Sequence, residues 1–457
     1  MAELTAAAIA LNRFGLGARL GESPPADPKA WLSAQFNAFE AAPPAWSAQP
    51  SSRELVARYE QYRQQVAGAD EAARLDANKS INATTRETYQ GAVNARVASA
   101  LATPAPFVER LVHFWANHFA ISADKQRVVR GMAGAFEVEA IRPHVLGRFE
   151  DMLVAVEQHP AMLVFLDQAQ SIGPDSLAAM RRARRDPERV PGLNENLARE
   201  IMELHTLGVR SGYTQQDVTE FARALTGWSI VRAGDGPGGF MFRPAQHEPG
   251  ARTIMGRRYD QPGEAQARAV LHDLATSPAT ARHVCTKLAR HFIADDPPPE
   301  AVERLAAVFE ASGGDLRAVY RALIDLPQAW SPIAVKFKTP WEWTLSALRG
   351  LGVQEAGGLQ FAPILNQLGQ PVWQPGSPAG FDDIAGTWAA PDALVRRVEV
   401  AQRMASRVDT ERDPIALGQQ MLAGSALNTP TVQAVARAET VSMAVALLLV
   451  SPDFQRR

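Results

Sequence analysis

Asn194-Glu195-Asn196-Leu197-Ala198-Arg199-Glu200-Ile201-Met202-Glu203-Leu204-His205-Thr206-Leu207-Gly208-Val209 reads as one helix. Leu197, Ile201 and Leu204 recur at helical spacing and give it an apolar line. Gly208 stands where a helix C-terminus favours a residue that tolerates positive φ. Glu195, Arg199 and Glu203 form a polar stripe in which Arg199 can pair both carboxylates. Asn196 and Glu200 form a second stripe beside it. His205 lies four residues after Ile201, so it flanks the apolar face and is expected to be buried. A surface helix does not need this assortment of Asn, Glu, Arg and His, and a purely apolar core would not tolerate it. The stretch therefore reads as a candidate site.

Outward from it the chain is overwhelmingly helical, rich in Ala, Leu, Arg, Glu and Gln with few β-branched runs. Asp27-Pro28 opens one helix, and Pro104 to Phe119 and Arg127 to Ile141 read as others. Thr214 followed by Asp217 marks the N-terminus of the helix after Gly208. Residues 228–258 are the one β-like stretch. There Trp228-Ser229-Ile230-Val231 and Phe240-Met241-Phe242 flank a Gly-rich turn, predicting a hairpin near 228–243. Residues 171–192 read as a long irregular loop or a short exposed helix, and 369–391 as a second irregular loop. The expected fold is a large all-α, multi-helix domain, array-like or toroidal, spanning 1–457 with that small hairpin inserted.

The 457 residues are 46% hydrophobic, enough for a large core. Forty-seven basic residues stand against 49 acidic ones, so bulk electrostatic binding to nucleic acid or acidic membranes is not expected. Arg181-Arg182-Ala183-Arg184-Arg185 is a local basic cluster beside Asp186 and Glu188, read as a solvated loop. The single cysteine, Cys285, excludes an intramolecular disulfide and a Cys-based metal cluster, and its apolar neighbours predict a buried filler. The N-terminus has no basic region ahead of an apolar one, and the longest apolar run, Met443 to Val450, is too short to span a bilayer. These features predict a soluble, cytoplasmic chain.

Several motifs together resemble the domain of unknown function 1800 family. They are Leu11 to Gly17, His113 to Phe119, Asn194 to Val209, Gly212 to Trp228, His247 to Gly256, Pro278 to Phe292, Gly313 to Leu316, Lys336 to Pro340, Gly369 to Trp388 and Leu447 to Gln455. The resemblance implies a mostly helical bacterial protein of unestablished activity. It also implies export in many members, to the periplasm or beyond, and a sulfatase-like partner protein of the domain of unknown function 1501 family.

Two constellations could carry chemistry. Glu109, His113 and Asn117, at spacings of four, form one stripe opposite Phe107, Leu111, Phe114 and Trp115. There Glu109 would orient His113 for acid–base work, or the stripe would be a buried hydrogen-bond network. His118 lies off the stripe among apolar neighbours and reads as a core histidine. On the 194–207 helix, two carboxylates near one Arg can split their roles. One stays ionised against Arg199 while the other is raised by burial and acts as an acid, an arrangement suited to glycoside hydrolysis. A structural Arg–Glu clamp is the alternative.

Glu200, Glu203 and His113 are the catalytic candidates. Glu109, Asn117, Asn194, Asn196, Arg199, His205, Trp228 and His247 are the substrate-binding candidates, with Trp228 stacking on a sugar ring. His113, His205, His247, Glu200 and Glu203 have metal-ligand chemistry but not metal-ligand spacing, and no metal site or cofactor is assigned. His283, Lys287 and His291 are also spaced by fours, and the intervening Lys argues against metal there. Gly234 to Gly239 spells Gly-x-Gly-x-x-Gly but is followed by strand-like residues and reads as a turn. Three readings stand: a carbohydrate-active hydrolase that binds polysaccharide, a non-catalytic binding or assembly partner of a sulfatase-like protein, and a His/Glu metalloenzyme.

Overall fold

The computed structural model describes residues 3–185, 192–232, 235, 239–354, 360–409 and 411–457. Helices dominate, and two short antiparallel hairpins are the only strand pairs among these residues. Local chemistry explains most helix starts. Asp27, Ser51, Asp70, Thr214, Thr339 and Asp413 each accept a backbone N–H of the first turn through the side chain. Thr214 and Asp217 form a reciprocal capping box, as their spacing predicts.

Two helices lie at the centre. In Pro106–His118 every residue except Asn117 is buried, and in Pro340–Gly350 every residue is buried. Around them pack helix pairs, including Glu71–Ala102 with Arg127–Phe136, Pro278–Phe292 with Pro299–Ala311, and Pro391–Ala405 with Val441–Leu449. A continuous set of buried apolar side chains runs from Ile9 to Phe454. No helix is long and apolar enough to cross a membrane among the described residues.

The predicted hairpin is present. Trp228–Ile230 pairs with Phe240–Phe242, and Trp228 faces Phe242 in register. Most of its Gly-rich turn lies outside the described residues. A second hairpin, Arg252–Ile254 with Arg257–Tyr259, turns through Met255 (φ 47°) and Gly256 (φ 77°). Two consecutive positive φ values are what a tight two-residue hairpin turn requires.

Of the two readings of 171–192, the short helix is present, because Ser176 caps a helix over Leu177–Ala183. The expected Arg loop is thus half helix, with Arg181–Arg185 exposed; residues 186–191 lie outside the described set. The 369–391 segment is irregular apart from a helical turn at Ala385–Trp388. The 194–207 helix is α-helical over Asn196–Glu200 and widens into a π-helical turn over Ile201–His205 before Gly208 (φ 91°). Cys285 is buried.

Candidate functional site

A cleft of about 260 Å³ opens between the two central helices, the Pro278–Phe292 helix and the 379–384 segment. Its polar lining comes from His113, Asn117 and His118 of the first central helix and from Lys287, Arg290 and His291. Glu342 and Asp383 complete it, with Phe114, Trp341 and Phe381 as aromatic walls.

The 379–384 segment is pinned over the cleft by Asn117. The Asn117 side chain donates to the Phe381 carbonyl at 2.8 Å and accepts the Phe381 N–H at 2.8 Å. Gly380 (φ 84°) passes so close that a Cβ there would lie 2.3 Å from the Asn117 carbonyl oxygen. Only glycine combines that φ with that approach. The pinning delivers Asp383, whose Oδ2 lies 2.6 Å from His291 Nδ1, and Lys336 lies 3.1 Å from Asp383 Oδ1.

With its Nδ1–H donated to Asp383, the neutral His291 ring carries a lone pair on Nε2. That atom has no hydrogen-bond partner in the protein, and Glu342 Oε1 lies 3.8 Å away. Burial lowers the His291 pKa against the opposing pull of Asp383, so the ring is neutral near pH 7. Asp383 is held well below the usual carboxylate range, burial being outweighed by His291 and Lys336.

Glu342 binds Arg457 through Nε at 3.2 Å and Nη2 at 2.8 Å, and also pairs with Arg110. These cations outweigh burial and hold its pKa at about 2. Glu342 and Asp383 are therefore ionised, and neither is a stored acid.

Lys287 and Arg290 lie on the same helix as His291, one turn and one residue before it. Burial, only partly offset by Asp383, lowers the Lys287 pKa to about 8.

The predicted residues divide between this cleft and the frame around it. His113 and Asn117 line the cleft. Glu109 does not orient His113 as expected, because Arg142 takes both of its oxygens at 2.8 and 2.9 Å and His113 Nε2 is 3.8 Å away. His113 Nδ1 instead accepts the Trp341 indole N–H at 3.0 Å. Burial first, then Arg96, Arg142 and Arg110, push the His113 pKa well below its usual value.

His118 lines the cleft and donates through Nε2 to the His205 carbonyl at 3.1 Å, so the 113–118 and 194–205 motifs do meet. His283 similarly meets the Leu204 carbonyl at 3.0 Å. These imidazoles satisfy the open carbonyls at the end of the π-helical turn. His205 is buried as expected, with Nδ1 2.7 Å from Glu157.

Glu200 and Glu203 are not among the residues that line the cleft. Burial raises the Glu200 pKa, aided by Glu203 and Glu157 and opposed by His205 and Arg199. Arg199 pairs with Glu195 at 3.2 Å and with Gln215, rather than with both carboxylates of its stripe. Asn194 accepts the Asn196 N–H and donates to the Asp167 carbonyl, an ordinary helix-start role, and the Asn196 side chain is exposed.

His247 Nδ1 is 2.9 Å from the Thr226 carbonyl. Trp228 is fully buried in its strand against Phe240, so it cannot stack on a sugar. No group of three His, Cys, Asp or Glu is placed to hold a metal ion among the described residues.

The sequence alone weighs His291 and Lys287 only as metal ligands and gives no signal for Glu342 or Asp383. The His283–Lys287–His291 spacing was visible, but its partner Asp383 lies 92 residues away, and no local pattern joins them.

The fold and cleft define a class: a helical protein whose two buried central helices frame a polar cleft beneath an irregular strap. This chain belongs to the family described as protein of unknown function, DUF1800, whose model matches residues 9–456. Neither a curated protein nor a solved structure matches it.

Proposed function

We propose that the protein is a hydrolase in which His291 activates the attacking water. The observation that carries this reading is the Asp383–His291 pair at 2.6 Å, with Nε2 left without a protein partner at the cleft. A carboxylate on Nδ1 fixes the tautomer, orients the ring and stabilises the imidazolium formed in the reaction. Nε2 takes one proton from water as the water oxygen bonds to the electrophilic centre. At the acyl carbon of a carbohydrate ester, the imidazolium then returns that proton to the departing oxygen of the tetrahedral intermediate, so the ring ends the cycle neutral.

The substrate class remains the carbohydrate suggested by the residue types. Aromatic walls at Phe114, Trp341 and Phe381 interleaved with hydrogen-bonding groups suit a saccharide unit. The paired-carboxylate mechanism shifts to a His-based one, since Glu200 and Glu203 are not among the residues that line the cleft and its Asp383 and Glu342 stay ionised.

The test is turnover of nitrophenyl glycosides and acyl esters by wild type and His291→Asn. His291→Asn is expected to lose roughly 10²–10⁴-fold in kcat. Unchanged turnover in that variant excludes His291 as the base.

A further inference from the structure

Charge matching within the cleft is uneven. Glu342 is met by Arg110 and Arg457, and Asp383 by Lys336 and His291. The Asp382 carboxylate accepts the Thr387 hydroxyl at 2.9 Å. Lys287 lines the cleft half-buried, and among the described residues its ammonium makes neither a hydrogen bond nor an ion pair. Arg290 spends only Nε, on the Asp295 carbonyl at 3.1 Å, leaving the two terminal nitrogens of its guanidinium uncommitted. Three residues separate the two cations on the Pro278–Phe292 helix, so they share a face, and His291 adjoins Arg290.

A half-buried ammonium whose nearby carboxylate, Asp383, is already paired with His291 and Lys336 is costly unless something supplies a further negative charge. Two cationic donors lining one cleft, one a point charge and one a planar fork, suit an oxyanion. We propose that Lys287 and Arg290 form an oxyanion subsite beside His291, so that the molecule processed in the cleft carries a carboxylate, sulfate or phosphate group. That this anion belongs to a hydrolysed substrate rests on the hydrolase reading; the subsite itself does not.

Lys287 feels Asp383 from the strap, Arg290 and His283 from its own helix, and His118 from the central helix. Its charge is present below a pKa of about 8 and lost above it. Oxyanion affinity should therefore hold on the acid side and weaken as pH rises through and beyond that value.

The experiment is calorimetric titration of the full chain with sodium sulfate, phosphate and acetate in separate runs at low ionic strength. At least one should bind with 1:1 stoichiometry, and which one does so distinguishes the three anions. Lys287→Met and Arg290→Met should each weaken binding at least tenfold, while Lys287→Arg should retain it and Lys79→Met should not alter it. Circular dichroism checks that each variant is folded, and the wild-type pH series tests the same point without any substitution.

No binding of any of the three anions, or equal affinity in both Met variants, overturns the subsite. Anion binding that depends on Lys287, together with turnover indifferent to His291→Asn, removes the hydrolase reading and leaves the subsite standing. Turnover lost in His291→Asn, with no anion bound by wild type, does the reverse.

Discussion

His113 and His291 border the same cleft, yet their ring nitrogens are committed differently. His113 accepts the Trp341 N–H and is surrounded by Arg96, Arg110 and Arg142, so protonating it is opposed from three sides. His291 donates to a carboxylate and leaves the lone pair of its buried Nε2 without a protein partner, the state a base requires, whereas the unpaired Nε2 of His113 must carry that ring's proton. Because its pKa is lowered, the base form persists below the ordinary histidine range. The kcat/KM of the wild type should stay level down to about pH 6.5 and fall only on further acidification. A decline already complete at pH 6.5 would contradict that assignment.

His113→Ala leaves the Trp341 indole N–H buried without its acceptor. It should cost about 1–3 kcal/mol in denaturant unfolding. Trp228→Ala, which empties a fully buried site, should cost about 3–5 kcal/mol with no change in anion affinity.

At the scale of elements, Asn117 and Gly380 fix the strap over the cleft at Phe381, and Lys336 and Asp295 hold it further on at Asp383 and Ala385. Gly380→Ala should displace the strap, and with it Asp383, from His291. The expected result is a fall in kcat larger than the loss of global stability, read by comparing kinetics with thermal unfolding. A variant that unfolds earlier but turns over normally would show that the strap does not position Asp383.

These elements also show what could be read from the chain. Capping residues such as Asp27 and the Thr214–Asp217 pair act locally, and the helices and the hairpin at 228–230 and 240–242 follow from local pattern. The stripe Glu109–His113–Asn117 was legible as a stripe, but not its partners. Arg142, Trp341 and Phe381 reach it from 33, 228 and 264 residues away. The 194–205 motif was read as a site because its polar residues are dense. Many of those residues instead meet one another or the end of their own helix, and density alone does not separate the two uses.

For the whole molecule, the buried ion pairs set the response to acid. Glu342 has a folded pKa of about 2 because Arg457 and Arg110 outweigh its burial, against about 4.3 for a carboxyl in an unfolded chain. A depressed folded pKa gives stability that is full above the unfolded value and lost as pH falls through the folded one. The melting temperature should therefore be steady from pH 7 to about 5 and then drop steeply toward pH 2. Glu342→Gln should begin lower and lose less over that acid range. An equally steep acid fall in that variant would place the effect elsewhere, at Asp383 or the other carboxylates. Arg457→Met removes one partner of a buried pair and should cost about 3–5 kcal/mol.

Arg457 also reaches back to the His291 carbonyl at 2.8 Å, and Asn12 reaches forward to the Met421 carbonyl. During synthesis, the pocket's wall therefore cannot be finished by any nascent chain shorter than residue 457. Until that residue leaves the ribosome, Glu342 has only Arg110 to neutralise it. A site wired in this way closes only through contacts of very long sequence separation, which makes that closing step slow.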